Sequence, residues 1–118
     1  MKTISLFGEP PNTPFVLKTT ANDGVLTYVV FLRRWTPQGP LPMVTFNPND
    51  LENGVAGILD SDSGYDFILK AQILPQSEAA INVNLQFQPP GQGGFNKLVP
   101  LPDSEGPVVE RVWKVIIN

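Results

Sequence analysis

The sequence predicts an all-β fold, an antiparallel two-sheet β-sandwich of about eight strands. Residues 81–88 alternate apolar and amide side chains without exception, which is typical of a strand with one buried and one solvated face. Thirteen Pro and ten Gly interrupt the chain at short intervals, and the runs between them are rich in Val, Ile, Leu and Phe. No segment keeps a helical period over several turns. A small β-barrel is the alternative arrangement for strands and loops of these lengths.

Apolar runs bounded by turn residues locate the strands along the chain. The predicted strands are residues 2–7, 15–20, 25–34, 43–46, 55–59, 65–74, 79–88, 95–101 and 108–117. Residues 25–34 are apolar on both alternating faces, which favours a central strand that is covered on both sides. The short run 55–59 suits the edge of a sheet. Trp113 and Phe95 are predicted to face the core.

The connections between strands carry turn signals. Asn22-Asp23-Gly24 predicts a hairpin between the second and third strands. Residues 47–54 predict one helical turn, with Asn47 as N-cap, Pro48 at the first position and Gly54 ending it. The Pro- and Gly-rich stretch 89–94 predicts a second hairpin, between residues 79–88 and 95–101.

Length and charge limit the classes of partner. A chain of 118 residues with 42% apolar residues predicts a single β-sandwich domain over residues 1–118. The net charge is −3 and only eight residues are Lys or Arg, so nucleic acid is not an expected partner. Charged residues make up 16% of the chain, against about 25% in typical domains. Nine Asn and six Gln supply much of the remaining surface polarity, which favours neutral partners.

The sequence gives few signals of cellular location. Cysteine is absent, so neither a disulfide framework nor a thiolate metal site is expected. The apolar stretch at residues 4–7 is too short for a signal peptide, which predicts a cytoplasmic protein or one whose leader has been removed. The longest nearly apolar stretch, residues 25–32, is far shorter than the roughly 20 residues of a membrane span. No membrane-spanning segment is expected.

The absence of histidine excludes Ser-His-Asp and Cys-His catalytic sites and favours a protein that is not an enzyme. Any catalytic site would need carboxylates, Lys, Tyr or a metal; the candidate carboxylates are Asp50, Glu52, Asp60, Asp62 and Asp66. Asp60, Asp62 and Asp66 lie in one predicted turn, where carboxylate oxygens are able to converge on Ca²⁺. The alternative is an Asx-rich turn whose carboxylates bond nearby backbone amides. No other cofactor is predicted.

One strand face carries a row of amides formed by Asn82, Asn84, Gln86 and Gln88. Amides present both donors and acceptors, which match sugar hydroxyls, and an exposed Trp35 at a strand end would stack on a sugar ring. The sequence therefore predicts a ligand-binding set of Trp35, Asn82, Asn84 and Gln86. The row would continue across Lys70 or Gln72 if the two strands are neighbours. The alternative is a solvated face that only keeps the protein soluble.

These observations predict a non-catalytic β-sandwich recognition module, with carbohydrate binding as the sharpest form of the hypothesis. The alternatives are a protein-protein interaction module and a structural subunit of a larger assembly. Unpaired edge strands would be the route to self-association or to a protein partner.

Overall fold

The computed structural model describes residues 2–3, 12–36, 38–41, 44–60, 64–87 and 94–116. These residues form two β-sheets that pack face to face, without a closed barrel among them. The predicted two-sheet sandwich is therefore confirmed. The helices within the described ranges are too short to cross a membrane.

The elements follow one another with short connections. They are β1 (Lys2–Thr3), β2 (Asn12–Ala21), β3 (Val25–Thr36), β4 (Gly39–Pro40), β5 (Val44–Phe46), α1 (Pro48–Asn53), β6 (Val55–Asp60), β7 (Gly64–Ile73), β8 (Ala80–Phe87), β9 (Phe95–Pro100), a 3-10 turn (Asp103–Glu105) and β10 (Val108–Ile116). The first sheet has the order β1-β6-β2-β8-β9. The second has the order β10-β7-β3-β4, and β5 also pairs with β3. The described pairings are antiparallel except for the two-residue contact of β1 with β6.

Strict alternation along β8 and β7 builds the core. Ile81, Val83 and Leu85 of β8 are buried, and the amides between them face away from the second sheet. Phe15 of the first sheet meets Phe67 of the second edge to face, with ring centroids 5.7 Å apart. Four further buried side chains fill the space around them: Leu17, Leu32, Leu69 and Phe87.

A buried hydrogen bond also joins the two sheets. Thr19 Oγ1 of β2 lies 2.7 Å from Tyr28 Oη of β3, and both residues are almost fully buried. Each hydroxyl satisfies the other, so neither is left as an unpaired polar group in the core.

The predicted helical turn is confirmed. Asn47 Oδ1 accepts a hydrogen bond from the backbone N–H of Asp50 at 2.9 Å, Pro48 begins α1, and the N–H of Gly54 donates to Leu51 O. Gly54 has a φ of 97°, which disfavours any residue with a side chain and explains why glycine ends this turn. Leu51 is fully buried and anchors α1 to the core.

The predicted hairpin between the second and third strands is wrong, because β2 lies in the first sheet and β3 in the second. The turn itself forms, with Val25 N–H donating to Asn22 O at 3.1 Å. Asn22 is also committed to the segment before β8, since its Oδ1 accepts from Ala80 N and its Nδ2 donates to Glu78 O. A turn sequence specifies a chain reversal, and these contacts direct that reversal across the sandwich.

Two other strand predictions have different outcomes. The hairpin of β8 with β9 is confirmed, and Phe95 begins β9 with its ring 5.6 Å from that of Trp113, which is half-buried against the core. The third predicted strand is interior in its sheet but is not covered on both sides. Its outer face is only half-buried at Val29 and Phe31, and Leu26, at a register shift, is exposed.

Candidate functional site

A cluster of three side chains stands on the outer face of the second sheet and is called the Trp35 cluster here; its members are Arg33, Trp35 and Asp66. Arg33 and Asp66 are direct cross-strand partners on β3 and β7, and Trp35 lies two residues beyond Arg33 on the same face. The order of the strands therefore brings together residues that are more than thirty positions apart in the chain.

Asp66 is the centre of the cluster. Its Oδ2 accepts hydrogen bonds from Arg33 Nη2 at 2.7 Å, from Arg33 Nε at 3.3 Å and from Trp35 Nε1 at 2.6 Å. The residue is 2% exposed although it lies on the outer face of the sheet. A carboxylate buried in this way is stable as an anion only because its partners supply charge and hydrogen bonds.

The pKa of Asp66 reports this balance. Burial raises the pKa of the carboxyl, because desolvation disfavours the charged form. The hydrogen bonds from Trp35 and Arg33, together with the positive charges of Arg33 and Lys114, outweigh burial, so the pKa lies below its ordinary value. Asp66 therefore stays ionised at neutral pH and is poorly suited to act as a general acid.

Trp35 is exposed but fixed. The side chain is 42% exposed, its N–H is held by Asp66, and the Arg33 guanidinium carbon lies 4.8 Å from the ring centroid. A cation over an indole face adds an attraction to the hydrogen bond. The ring is thus held in one orientation while much of its surface remains in contact with solvent.

Apolar side chains adjoin the cluster on the same outer face. Phe31, Ile68 and Val112 lie side by side on β3, β7 and β10, one step from Arg33, Asp66 and Lys114. Ile68 is 6% exposed and Val112 is 44% exposed. The outer face of the second sheet therefore combines an exposed indole, an apolar row and a neutralised ion pair.

The amide face lies on the opposite side of the sandwich, on the first sheet; it is defined here by Lys18, Asn82, Asn84, Gln86 and Asn96. Asn82 Nδ2 donates to Asn96 Oδ1 at 3.0 Å, and Gln86 Nε2 donates to Asn84 Oδ1 at 2.7 Å. These bonds satisfy part of the hydrogen-bonding capacity of the amides. Lys18 of β2 is paired with Asn84 and supplies the single charge of this set.

The structure separates the predicted ligand-binding residues. Asn82, Asn84 and Gln86 share the amide face, but Trp35 belongs to the second sheet. The expected continuation of the row across Lys70 or Gln72 is wrong, because β7 is in the other sheet; the neighbours of β8 are β2 and β9. The row continues instead toward Thr20 and Asn96. Gln88 lies outside the described residues.

The three predicted metal ligands have different positions. Asp66 is occupied by Arg33 and Trp35, for Asp60 only the backbone is described, and Asp62 lies outside the described residues. Within the described ranges, no group of three or more acidic side chains is arranged to hold a metal ion. A carboxylate that already accepts hydrogen bonds from a guanidinium and an indole is a weak candidate for a Ca²⁺ ligand.

Arg33 is the member of the cluster that sequence reasoning missed. The adjacent pair Arg33 and Arg34 indicates opposite faces of a strand, which is what alternation requires, but it does not identify a partner. The signal that identifies Asp66 as the partner is the register of β3 with β7, and a single sequence does not contain it. Two separate predictions, a ligand-binding Trp35 and a metal-binding Asp66, therefore meet in one structure.

An open cleft lies at one end of the sandwich, where the segment 77–80 meets residues 98–103. Its volume is about 510 Å³, and it includes two carboxylates, Glu78 and Asp103. Both residues are exposed, and Asp103 Oδ2 accepts a hydrogen bond from the backbone N–H of Gln76 at 2.7 Å. This exposure differs from the desolvated carboxylate pairs that perform acid-base chemistry.

Comparison of the chain with known protein-family models, with curated proteins and with solved structures finds no match in any of the three. The chemistry of the surfaces themselves must therefore indicate a function.

Proposed function

We propose that this chain is a non-catalytic recognition module that binds another protein through the outer face of its second sheet, with Trp35 as the central contact. The observation that carries the proposal is the state of Trp35, which is exposed yet fixed by the hydrogen bond to Asp66 and by Arg33. Trp and Arg are the residues most enriched among the dominant contacts of protein interfaces. A side chain that is already held in position loses less conformational entropy when a partner binds.

The neighbours of Trp35 support a protein partner. Phe31, Ile68 and Val112 form an apolar row beside the indole, and charged residues flank that row. An apolar centre within a polar rim is the usual arrangement of a protein-binding surface. The buried carboxylate is best explained as the support of this surface, since its lowered pKa makes it a poor proton donor at neutral pH.

Carbohydrate binding remains the second candidate, and the observation in its favour is the amide face. Four amides stand together there with one lysine, so a neutral, hydrogen-bonding ligand would suit them. The stacking aromatic that this hypothesis assigned to the same site, Trp35, stands on the opposite sheet. Aromatic stacking and the amide row would therefore act at separate places.

The experiment compares capture of partner proteins by immobilised wild type and two surface variants. We expect Trp35→Ala to weaken binding of the captured partner by about tenfold to a hundredfold, because truncation of a central Trp commonly costs about 2 kcal/mol or more. Asn84→Ala is the matched control on the amide face and should leave that binding unchanged. Urea unfolding of all three proteins shows whether the variants remain folded.

Retention of the partner by Trp35→Ala, or equal loss in both variants, would contradict the proposal. A glycan array adds the second candidate to the same comparison. Sugar binding that is lost in Asn84→Ala and kept in Trp35→Ala would transfer the function to the amide face.

A further inference from the structure

Two long edge strands close the same side of the sandwich, and they differ in how they are protected. β9 has six residues, ends at Pro100 and carries Lys97 on its core-facing side, opposite the buried Val83. The Lys97 ammonium lies 5.0 Å from the centroid of the Phe95 ring. A proline and an inward-pointing charge are devices that prevent an edge from pairing with another strand.

β10 lacks these devices. It has nine residues, contains neither Pro nor Gly, and pairs with β7 in an unbroken register. Among the described strands it pairs with β7 alone, whereas the opposite edges of the two sheets end in the two-residue strands β1 and β4. Two of its outward side chains, Val108 and Val112, are 55% and 44% exposed. A long, regular and partly apolar edge is a template for an added strand.

The backbone of β10 shows which residues face the open edge. Ile73 N–H donates to Pro107 O at 3.0 Å, so Pro107 and the alternate residues that follow it bond to β7. Glu110 O instead accepts from the Arg111 side chain at 2.9 Å, which agrees with a carbonyl that points away from β7. A carbonyl oxygen has two lone pairs, so this acceptor is also able to bond a second donor. The residues whose backbones face the edge are Val108, Glu110, Val112, Lys114 and Ile116.

We propose that β10 pairs with β10 of a second copy of this chain, antiparallel, about a two-fold axis at Val112. In this register Glu110 lies opposite Lys114 of the second copy, and Lys114 lies opposite its Glu110. Val112 faces Val112, and Val108 takes the position opposite Ile116. All of these positions direct their backbone N–H and C=O groups toward the open edge, so hydrogen-bonded pairs form along the whole strand.

Charge complementarity selects this partner and this register. A shift of the axis to residue 111 places Arg111 opposite itself, and a shift to residue 113 leaves both Glu110 and Lys114 opposite apolar residues. Like charges directly opposite destabilise a strand pair, and opposite charges stabilise it. The axis at Val112 satisfies both charges twice, as a two-fold interface requires.

A charge exchange tests the dimer. Sedimentation or light scattering should show wild type passing from monomer to dimer between low micromolar and millimolar concentration. Lys114→Glu and Glu110→Lys each place like charges opposite one another twice, and we expect each to raise the dimer dissociation constant about tenfold. The double variant Glu110→Lys/Lys114→Glu restores opposite charges, so its dissociation constant should return close to that of wild type. Lys18→Glu, on the amide face, changes the net charge equally and should leave dimerisation unchanged.

Restoration by the double variant is the decisive outcome, since a general effect of charge or a loss of folding would not be reversed by a second charge change. A wild type that stays monomeric throughout the concentration range would overturn the proposal, whether or not the edge accepts a strand of another protein. A dimer that ignores both single variants would overturn it equally, because its interface would lie elsewhere.

Discussion

The two outer faces of the sandwich are built from the same alternation of side chains, but they hold their polar groups in different ways. On the amide face, Asn82 bonds Asn96 and Gln86 bonds Asn84, and these bonds lie at the solvent-exposed surface. On the opposite face, Arg33 and Trp35 bond a carboxylate that is almost fully buried. A broken bond at the first face is replaced by water. At the second face it leaves a charge without a partner, so polar groups of similar number differ in their contribution to stability.

The largest expected effect follows from removal of the buried carboxylate. We expect Asp66→Ala to lower the free energy of unfolding by about 2 to 3 kcal/mol, because Arg33 and the Trp35 N–H both lose their acceptor. The value is below that of a fully buried ion pair because the Arg33 side chain is 29% exposed. Urea unfolding followed by circular dichroism measures the change.

Asn84→Ala provides the matched control for this measurement. It removes one polar surface group and should change the free energy of unfolding by less than about 0.5 kcal/mol. Equal changes in the two variants would show that the two faces do not differ in the way described above.

The pH dependence of stability separates the charge of Asp66 from its shape. Burial raises the pKa of Asp66, but the bonds and positive charges around it lower the pKa further, so the net shift is downward. A lowered pKa in the folded state means that the carboxylate contributes stability above its unfolded-state value of about 3.9, and that this contribution is lost as the pH falls through the folded-state pKa. The stability difference between wild type and Asp66→Asn should therefore be largest at neutral pH and shrink in acid.

A constant difference from pH 7 to pH 3 would mean that the shape of the side chain, and not its charge, supports the cluster. The variant Asn84→Ala again serves as the reference, since no ionisable group is changed by it. Its stability difference from wild type should not depend on pH.

Local signals in the sequence predict local structure well. The Asn47 cap, Pro48 and Gly54 locate α1, and the alternation in residues 81–88 defines which side of β8 faces the core. The sandwich follows from such signals, because each depends on residues close in the chain. A hairpin with a short connection, such as that of β8 with β9, is predicted for the same reason.

Long-range pairing is the part that a single sequence does not specify. The reversal at Asn22 is visible, but the contacts of Asn22 with Glu78 and Ala80, which direct it between the sheets, are not. The meeting of Arg33 with Asp66 likewise depends on the register of β3 with β7. Prediction therefore identified Trp35 and Asp66 as notable residues, while their mutual contact required the strand order.

The two proposals combine in one geometric consequence. A two-fold axis perpendicular to the second sheet keeps the outer faces of both copies on the same side. Trp35 lies two strands from β10 and near the register of Ile116, so the two Trp35 rings would stand about 35 Å apart on one continuous surface. Such a dimer would present two binding contacts to a repeated partner, with the gain in avidity that linked sites provide.

The smallest expected effect is the coupling between two surface amides, and it sharpens the comparison of the faces most directly. A double-mutant cycle with Asn82→Ala and Asn96→Ala should give a coupling energy below about 0.5 kcal/mol, because water replaces the lost bond at an exposed site. The same cycle with Arg33→Ala and Asp66→Ala should give more than about 1 kcal/mol, because either single change leaves a partly buried charge unpaired. Each cycle compares two directly measured singles with their double, so differences in the unfolded state largely cancel. If the amide pair coupled as strongly as the ion pair, the amides would form a rigid array, and the amide face would become the better candidate for a preorganised binding surface.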